Sequence, residues 1–237
     1  MHSGIHLKPP VFELGLKAYL YGQKALALAK AADRISEKYQ IKIIFTPQYV
    51  DIPKIAQETE NLLVFAQHLD PVEAARGNGS VLAEAVKEAG AAGVLLNHVE
   101  KRLTLSKISR TIKRADEVGL LSMVCADSPQ EAAAVAHLGP NIILAEPPEL
   151  IGTGKSVGKG KNQFITRSMA MIKGINPKIL VLNSAGIRSG DDVAEIIRSG
   201  AEATGSTSGV LKAPDPAAKL EEMIKSLKEA WLETHPC

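Results

Sequence analysis

The chain has 237 residues, 45% of them apolar and 4% aromatic, and 28 basic against 26 acidic side chains leave a net charge of +2. That length suits one large barrel or two small domains and can bury a sizeable aliphatic core, while interleaved, nearly balanced charge lacks the basic stripe of a nucleic-acid binder. Cys125 and Cys237 make no disulfide framework, no apolar run reaches the ~18 residues of a membrane span, and the start MHSGIHLKPP lacks a signal-peptide core, so the expectation is a soluble cytoplasmic protein with no membrane or nucleic-acid partner.

In chain order, a strand over Pro10–Leu16 leads to a helix over Gln23–Tyr39. A strand at Ile41–Thr46 follows, then a shorter helical stretch at Asp51–Thr59. Strand Leu62–Ala66 precedes helix Val81–Ala89, and strand Gly93–Leu96 precedes helix Leu105–Val118. Leu120–Cys125 and Pro129–His137 form the fifth pair, and Ile142–Glu146 and Asn162–Ile172 the sixth. Ile179–Asn183 with Asp191–Arg198, then Glu202–Ser206 with Pro214–Trp231, complete the series. Asp127-Ser128-Pro129 and Ser189-Gly190-Asp191-Asp192 carry helix-start chemistry, and Gly90, Gly119, Gly139, Gly174 and Gly200 sit where helices should stop. Uninterrupted strand–helix alternation implies parallel pairing with right-handed crossovers. Eight units close a barrel where five or six would leave an open sheet. The α/β chain is therefore expected to be one (β/α)8 barrel of the TIM-barrel class, eight parallel strands in a single domain over 1–237. Residues 1–8 and 233–237 are expected to be flexible ends. The eighth strand, EATGS, is the least strand-like of the set.

Barrels of this class place their active sites at the C-terminal ends of the strands. Applied as a filter, that rule selects Gly15-Leu16-Lys17 after strand one, Asn97-His98-Val99-Glu100 after strand four and Glu146 after strand six. It also selects Ser184-Ala185-Gly186 and Thr207-Ser208-Gly209 after strands seven and eight. Taken singly, Lys17 reads more readily as a solvated loop charge and His98 as a backbone-bonded structural histidine, while Glu146 reads equally as half of a rim salt bridge. Glu100 reads as an ion-pair partner. Joint placement on one rim is what points to chemistry. Pro147-Pro148-Glu149-Leu150-Ile151-Gly152-Thr153-Gly154-Lys155 combines a stiff start with glycines, as a closing lid needs. The small-residue turns after strands seven and eight let backbone N–H groups approach an anion such as phosphate. There is neither zinc-ligand spacing nor a G-x-x-x-x-G-K-[ST] loop, and no cofactor is expected.

The segment Glu146–Gly154, EPPELIGTG, resembles the lid of archaeal-type triosephosphate isomerases with its leading glutamate. Asn97-His98 with Glu100 and Arg102 is similar to the family's fourth-strand segment. FAQHLDP at Phe65–Pro71, GLLSMVCAD at Gly119–Asp127 and AGIRSG at Ala185–Gly190 also resemble family segments. The likeness runs in order from about Pro9 to Lys219. It implies interconversion of dihydroxyacetone phosphate and D-glyceraldehyde 3-phosphate, in glycolysis and gluconeogenesis, through an enediolate. In that reading Glu146 is the base and His98 the neutral electrophile. Lys17 supplies positive charge, and Glu100 tunes it. Gly15, Lys17, Ile151, Gly152, Gly186, Thr207 and Ser208 hold the substrate and its phosphate. The likeness also implies a homo-oligomer, dimer or tetramer, with Gln67–Ser80 resembling the loop that reaches a neighbouring subunit.

Four positions depart from the family pattern: Gly15 stands for asparagine, Val99 for serine, Ser184 for glycine and Thr207 for alanine. They keep two other readings open. One is the same aldose–ketose chemistry on another small sugar phosphate, such as a tetrulose phosphate. The other is a weakened paralogue that binds a metabolite or a partner.

Overall fold

Seven short runs dominated by apolar residues and the small-residue run EATGS become eight strands in the computed structural model, which describes residues 7–147, 159–184 and 186–236. The strands are β1 (Val11–Gly15), β2 (Lys42–Thr46), β3 (Leu62–Ala66) and β4 (Gly93–Leu96). They continue with β5 (Leu121–Ala126), β6 (Ile142–Ala145), β7 (Leu180–Asn183) and β8 (Ala203–Gly205). Each pairs in parallel with the next, and β8 returns to β1 with Ala203 opposite Val11 and Gly205 opposite Glu13, closing the barrel. Nearly every strand residue is buried, because helices cover one face and the barrel interior covers the other.

Alternation along each strand sorts the side chains into two cores. Val11, Ile44, Phe65, Met123, Leu144 and Leu182 point inward and fill the barrel. Phe12, Leu14, Ile43, Val64, Val124 and Val181 point outward against the helices. Each such side chain contributes ~1.5–3 kcal/mol by leaving water.

The covering helices are α1 (Gly22–Tyr39), α2 (Ile52–Glu58), α3 (Ala83–Glu88), α4 (Leu105–Glu117) and α5 (Pro129–Ala136). They are followed by α6 (Lys159–Ile175), α7 (Gly190–Arg198), α8 (Ser208–Leu211) and α9 (Pro216–Thr234). The Ser128 hydroxyl accepts from the Glu131 N–H at 3.1 Å to start α5. Ser189 and Asp192 form a capping box at α7, each side chain accepting from the other's backbone N–H at 3.3 and 3.0 Å.

Three expectations need correction. Gly174 does not stop its helix: α6 runs through it to Ile175 and ends before Asn176-Pro177, since glycine inside a last turn costs only ~1 kcal/mol relative to alanine. The final helix begins later than Pro214, because the Asp215 carboxylate caps it, and it passes Trp231 to Thr234. Glu233 and Thr234, expected in a loose tail, thus complete a helical turn, and Arg198 pairs with Glu233 at 2.7 Å. The four-residue α8 was not anticipated; it turns the chain directly after β8.

Candidate active site

One cavity of ≈ 340 Å³ lies among the described residues at the C-terminal ends of the strands. Lys17 reaches it from the end of β1 through a left-handed backbone, φ +46°. That strained turn is held by two glutamines: the side-chain amides of Gln48 and Gln67 donate to the Lys17 carbonyl at 2.6 and 2.9 Å. The lysine Nζ donates to Glu100 Oε1 at 3.1 Å. Glu100 is largely exposed, with 62% of its side chain open to solvent, so this pair aims the ammonium more than it stabilises the fold.

At the end of β4, Asn97 also takes a left-handed backbone, φ +60°, which asparagine tolerates better than most residues. It is buried, its amide donating to the Cys125 carbonyl at 2.9 Å and its Oδ1 accepting from the Leu103 N–H at 2.9 Å. Arg102 reinforces the turn by pairing with Asp127 at 3.0 Å and Glu131 at 2.5 Å. Next in chain is His98, which faces the cavity. Its Nδ1 accepts the Glu100 backbone N–H at 3.2 Å, and that bond assigns the proton to Nε2. Burial and, secondarily, the Lys17 charge depress its pKa below the ordinary value, with Glu100 pulling the other way. The imidazole is therefore neutral at pH 7, with its proton on Nε2.

Glu146 follows β6 directly, and its N–H extends the ladder by donating to the Ala126 carbonyl at 3.0 Å. Its carboxylate accepts from the Ser184 hydroxyl at 3.0 Å. Burial raises its pKa; Ser184 and Lys17 oppose the rise, and Asp127 and Glu100 add to it. On the remaining side of the rim stand Gly186, Thr207 and Ser208. The Ser206 hydroxyl donates to the Ile187 carbonyl at 2.9 Å, tying the turns after β7 and β8 together. The first turn of α8 presents N–H groups that have no intrahelical acceptor.

Gly15, Lys17, His98, Glu100, Glu146, Gly186, Thr207 and Ser208, all selected from the sequence, line this one cavity. Ile151 and Gly152 lie outside the described residues, as do Pro148 to Lys155 and Ala185. Glu13, Gln48, Gln67 and His68, absent from the sequence-based expectations, line the cavity as well. The last three also follow strand ends, so the same filter reaches them; Glu13 sits inside a strand, where its signal is a carboxylate on the inward parity of Gly15. His68 is buried with Nε2 3.3 Å from Asp70, and desolvation lowers its pKa. Two of the four family departures have a structural account: Ser184 bonds Glu146, and the space above Gly15 is taken by the Glu13 carboxyl and the Thr207 hydroxyl. Nothing in the structure explains Val99.

A base beside a neutral imidazole donor and an ammonium is the set needed to move a proton next to a carbonyl: one group removes it, the others stabilise the oxygen that becomes negative. Comparison with known proteins agrees. The family model described as Triosephosphate isomerase matches residues 13–226. The triosephosphate isomerase of Methanothermus fervidus is 42% identical over 220 residues, spanning 92% of this chain and 99% of that protein. That of Methanosarcina barkeri is 42% identical over 218 residues, 91% of this chain and 98% of its own length. That of Sulfolobus acidocaldarius is 39% identical over 226 residues, 94% and 97%.

Proposed function

This chain belongs to the triosephosphate isomerase family, and we propose that its rim cavity interconverts dihydroxyacetone phosphate and D-glyceraldehyde 3-phosphate with Glu146, His98 and Lys17 as its working groups. It is an aldose–ketose isomerase acting on a small phosphorylated sugar. Glu146 takes the proton from one carbon and returns it to the neighbour. The His98 Nε2–H donates to the carbonyl oxygen as the enediolate forms, and Lys17 adds positive charge there. A base paired with a neutral histidine is the established pattern for triosephosphate isomerases. Glu100 holds Lys17 and, through its N–H, the tautomer of His98. Gly15 leaves room beside them. The phosphate is assigned to Gly186, Thr207 and Ser208 through backbone N–H groups, with Ile151 and Gly152 closing over it.

The observation that carries this reading is the His98 geometry: a backbone N–H on Nδ1 leaves the opposite nitrogen as a donor inside a cavity that Glu146 also lines. Steady-state assays with triose and tetrose phosphates test it. Turnover of triose phosphates is expected. Turnover of a tetrulose phosphate alone moves the same chemistry to a neighbouring sugar, and no turnover by a folded chain rejects the reading.

We further propose a homo-oligomer, dimer or tetramer, in the cytoplasm. Tyr19, Tyr21 and Val50 are exposed large apolar side chains on the loops after β1 and β2. Those loops are joined by the Gly22 N–H donating to Asp51 at 2.9 Å. Light scattering that gives a monomer mass rejects the assembly. Among the described residues, no helix is long and apolar enough to cross a membrane.

A further inference from the structure

Below Lys17, on the inward face of β1, position 15 is bare backbone and position 13 is a carboxyl. Glu13 is 6% exposed yet lines the cavity. Its Oε1 accepts the Thr46 hydroxyl at 3.0 Å. Two glycines border it: a Cβ on Gly15 would come within 2.8 Å of Oε1, and one on Gly205 would meet the Glu13 carbonyl at 2.5 Å and its Cβ at 2.9 Å before Oε2 at 3.1 Å. The carboxyl therefore fills space that side chains on β1 and β8 leave open. Around and beneath it the barrel interior is apolar, with Val11 on β1 itself, Ile44 opposite Glu13 on β2 and Ala203 opposite Val11 on β8. Burying a carboxyl there opposes folding, and a hydrophobic residue would suit that level better. Its one exposed side is the cavity.

We propose that Glu13 is a substrate-contacting residue of this site, hydrogen-bonding an oxygen at the sugar end of the bound phosphate ester and selecting ligands that carry a hydroxyl or carbonyl there. The Thr46 bond fixes Oε1, and Oε2 is the oxygen that meets the ligand in this proposal. The inference rests on the proposed isomerase reading and adds a group that discriminates by the non-phosphate end. Burial lifts the Glu13 pKa to about 7; Thr46, Lys17 and the Gly15 backbone pull it down, and Glu146 pushes it up. Around it the titratable groups are Lys17, Glu146 and Cys125, of which Cys125 is buried and held as the thiol. Below that pH the neutral carboxyl donates to the substrate oxygen; above it, a second carboxylate opposes both the Glu146 charge and an enediolate.

The test compares the wild type with Glu13→Val and Glu13→Gln. It reads kcat/KM for dihydroxyacetone phosphate across pH, and calorimetric binding of dihydroxyacetone phosphate and of inorganic phosphate. Glu13→Val is expected to lower kcat/KM by about tenfold or more and to weaken dihydroxyacetone phosphate, with phosphate binding unchanged. Glu13→Gln is expected to restore most of the turnover and to erase an ionisation near pH 7. Unchanged turnover in Glu13→Val, or equal losses for both ligands, overturns the inference and leaves a structural role. Should the wild type fail to turn over triose phosphates, the isomerase reading falls. The Glu13 contact is then decided by the two binding measurements alone. If Glu13→Val does not fold, Thr46→Val frees Oε1 instead, and an unmoved pH profile in that variant counts against the contact.

Discussion

Below Glu13 the barrel is filled by Val11, Phe65, Met123 and Leu182, whereas above it the strand ends of the same barrel carry Lys17, His98, Glu146 and Ser184. The lower level is held by packing: its side chains are interchangeable in kind and make no directed bonds. The upper level is held by directed bonds from neighbouring loops and strands. Gln48 and Gln67 hold the Lys17 backbone, the Glu100 N–H orients His98, and Ser184 meets Glu146. The lower level therefore sets stability and the upper level sets chemistry, and substitutions that cross that division are the way to break the comparison.

The largest effect belongs to the rim. Glu146→Gln keeps shape and removes the base, so kcat is expected to fall on the order of 10²–10⁴-fold. Its denaturation midpoint should stay close to the wild type. Activity retained within a fewfold would show that another group removes the proton. At the lower level, Leu182 is fully buried and absent from the cavity wall. Leu182→Ala is expected to cost ~2–5 kcal/mol in urea unfolding, with kcat of the remaining folded protein within about threefold of wild type. A severe loss of kcat with a small stability change would mean that the two levels are coupled.

Much of this division is legible in the sequence, for a physical reason. Fully buried parallel strands need continuous aliphatic runs, and IKIIF, LLVFA and NIILA announce themselves in that way. The filter for strand ends then isolates Lys17, His98 and Glu146. β8 is three residues, Ala-Thr-Gly, with too little apolar content to stand out; its pairing with β1 and β7 makes it a strand. α8 is a single turn with no room for a 3.6-residue period. Glu13 hides because a strand reading treats one charged residue in VFELG as noise, and only the closed barrel shows that its inward parity opens onto a cavity. Gln48 and Gln67 act through another residue's backbone carbonyl, a contact that no linear pattern encodes.

Glu13 stands on the boundary between the levels, and its titration sharpens it. A carboxyl raised from 4.5 to about 7 by burial keeps its proton in the folded chain over a range where the unfolded chain has lost it. The Glu13 contribution to stability is then most favourable below pH 4.5 and falls as pH rises toward and past 7, by about 3 kcal/mol in total. Glu13→Gln has no such proton to lose. The wild type minus variant difference in unfolding free energy, measured at pH 5 and pH 8, is expected to change by on the order of 3 kcal/mol, the wild type losing ground at pH 8. A difference independent of pH would place Glu13 in contact with water.

The smallest effect is the most discriminating. Ser184 donates to the Glu146 carboxylate, which favours the ionised form against the burial that disfavours it. If Ser184 serves to keep the base ionised, Ser184→Ala makes Glu146 harder to ionise, and the acidic limb of kcat/KM moves to higher pH. The plateau above that limb, where Glu146 is ionised in either protein and Glu13 still holds its proton, should then change by less than about tenfold. If Ser184 serves instead to aim the carboxylate, the limb stays and the plateau drops, because misplacing a base by ~1 Å can cost ~10²-fold on its own. His98 does not confuse the reading: its pKa is depressed, so its protonation limb lies at lower pH than an ordinary histidine's, and removing a neutral hydroxyl just after β7 does not touch the N–H that sets its tautomer. A full pH profile of the one variant thus separates the two ways in which a rim hydroxyl can assist a buried base.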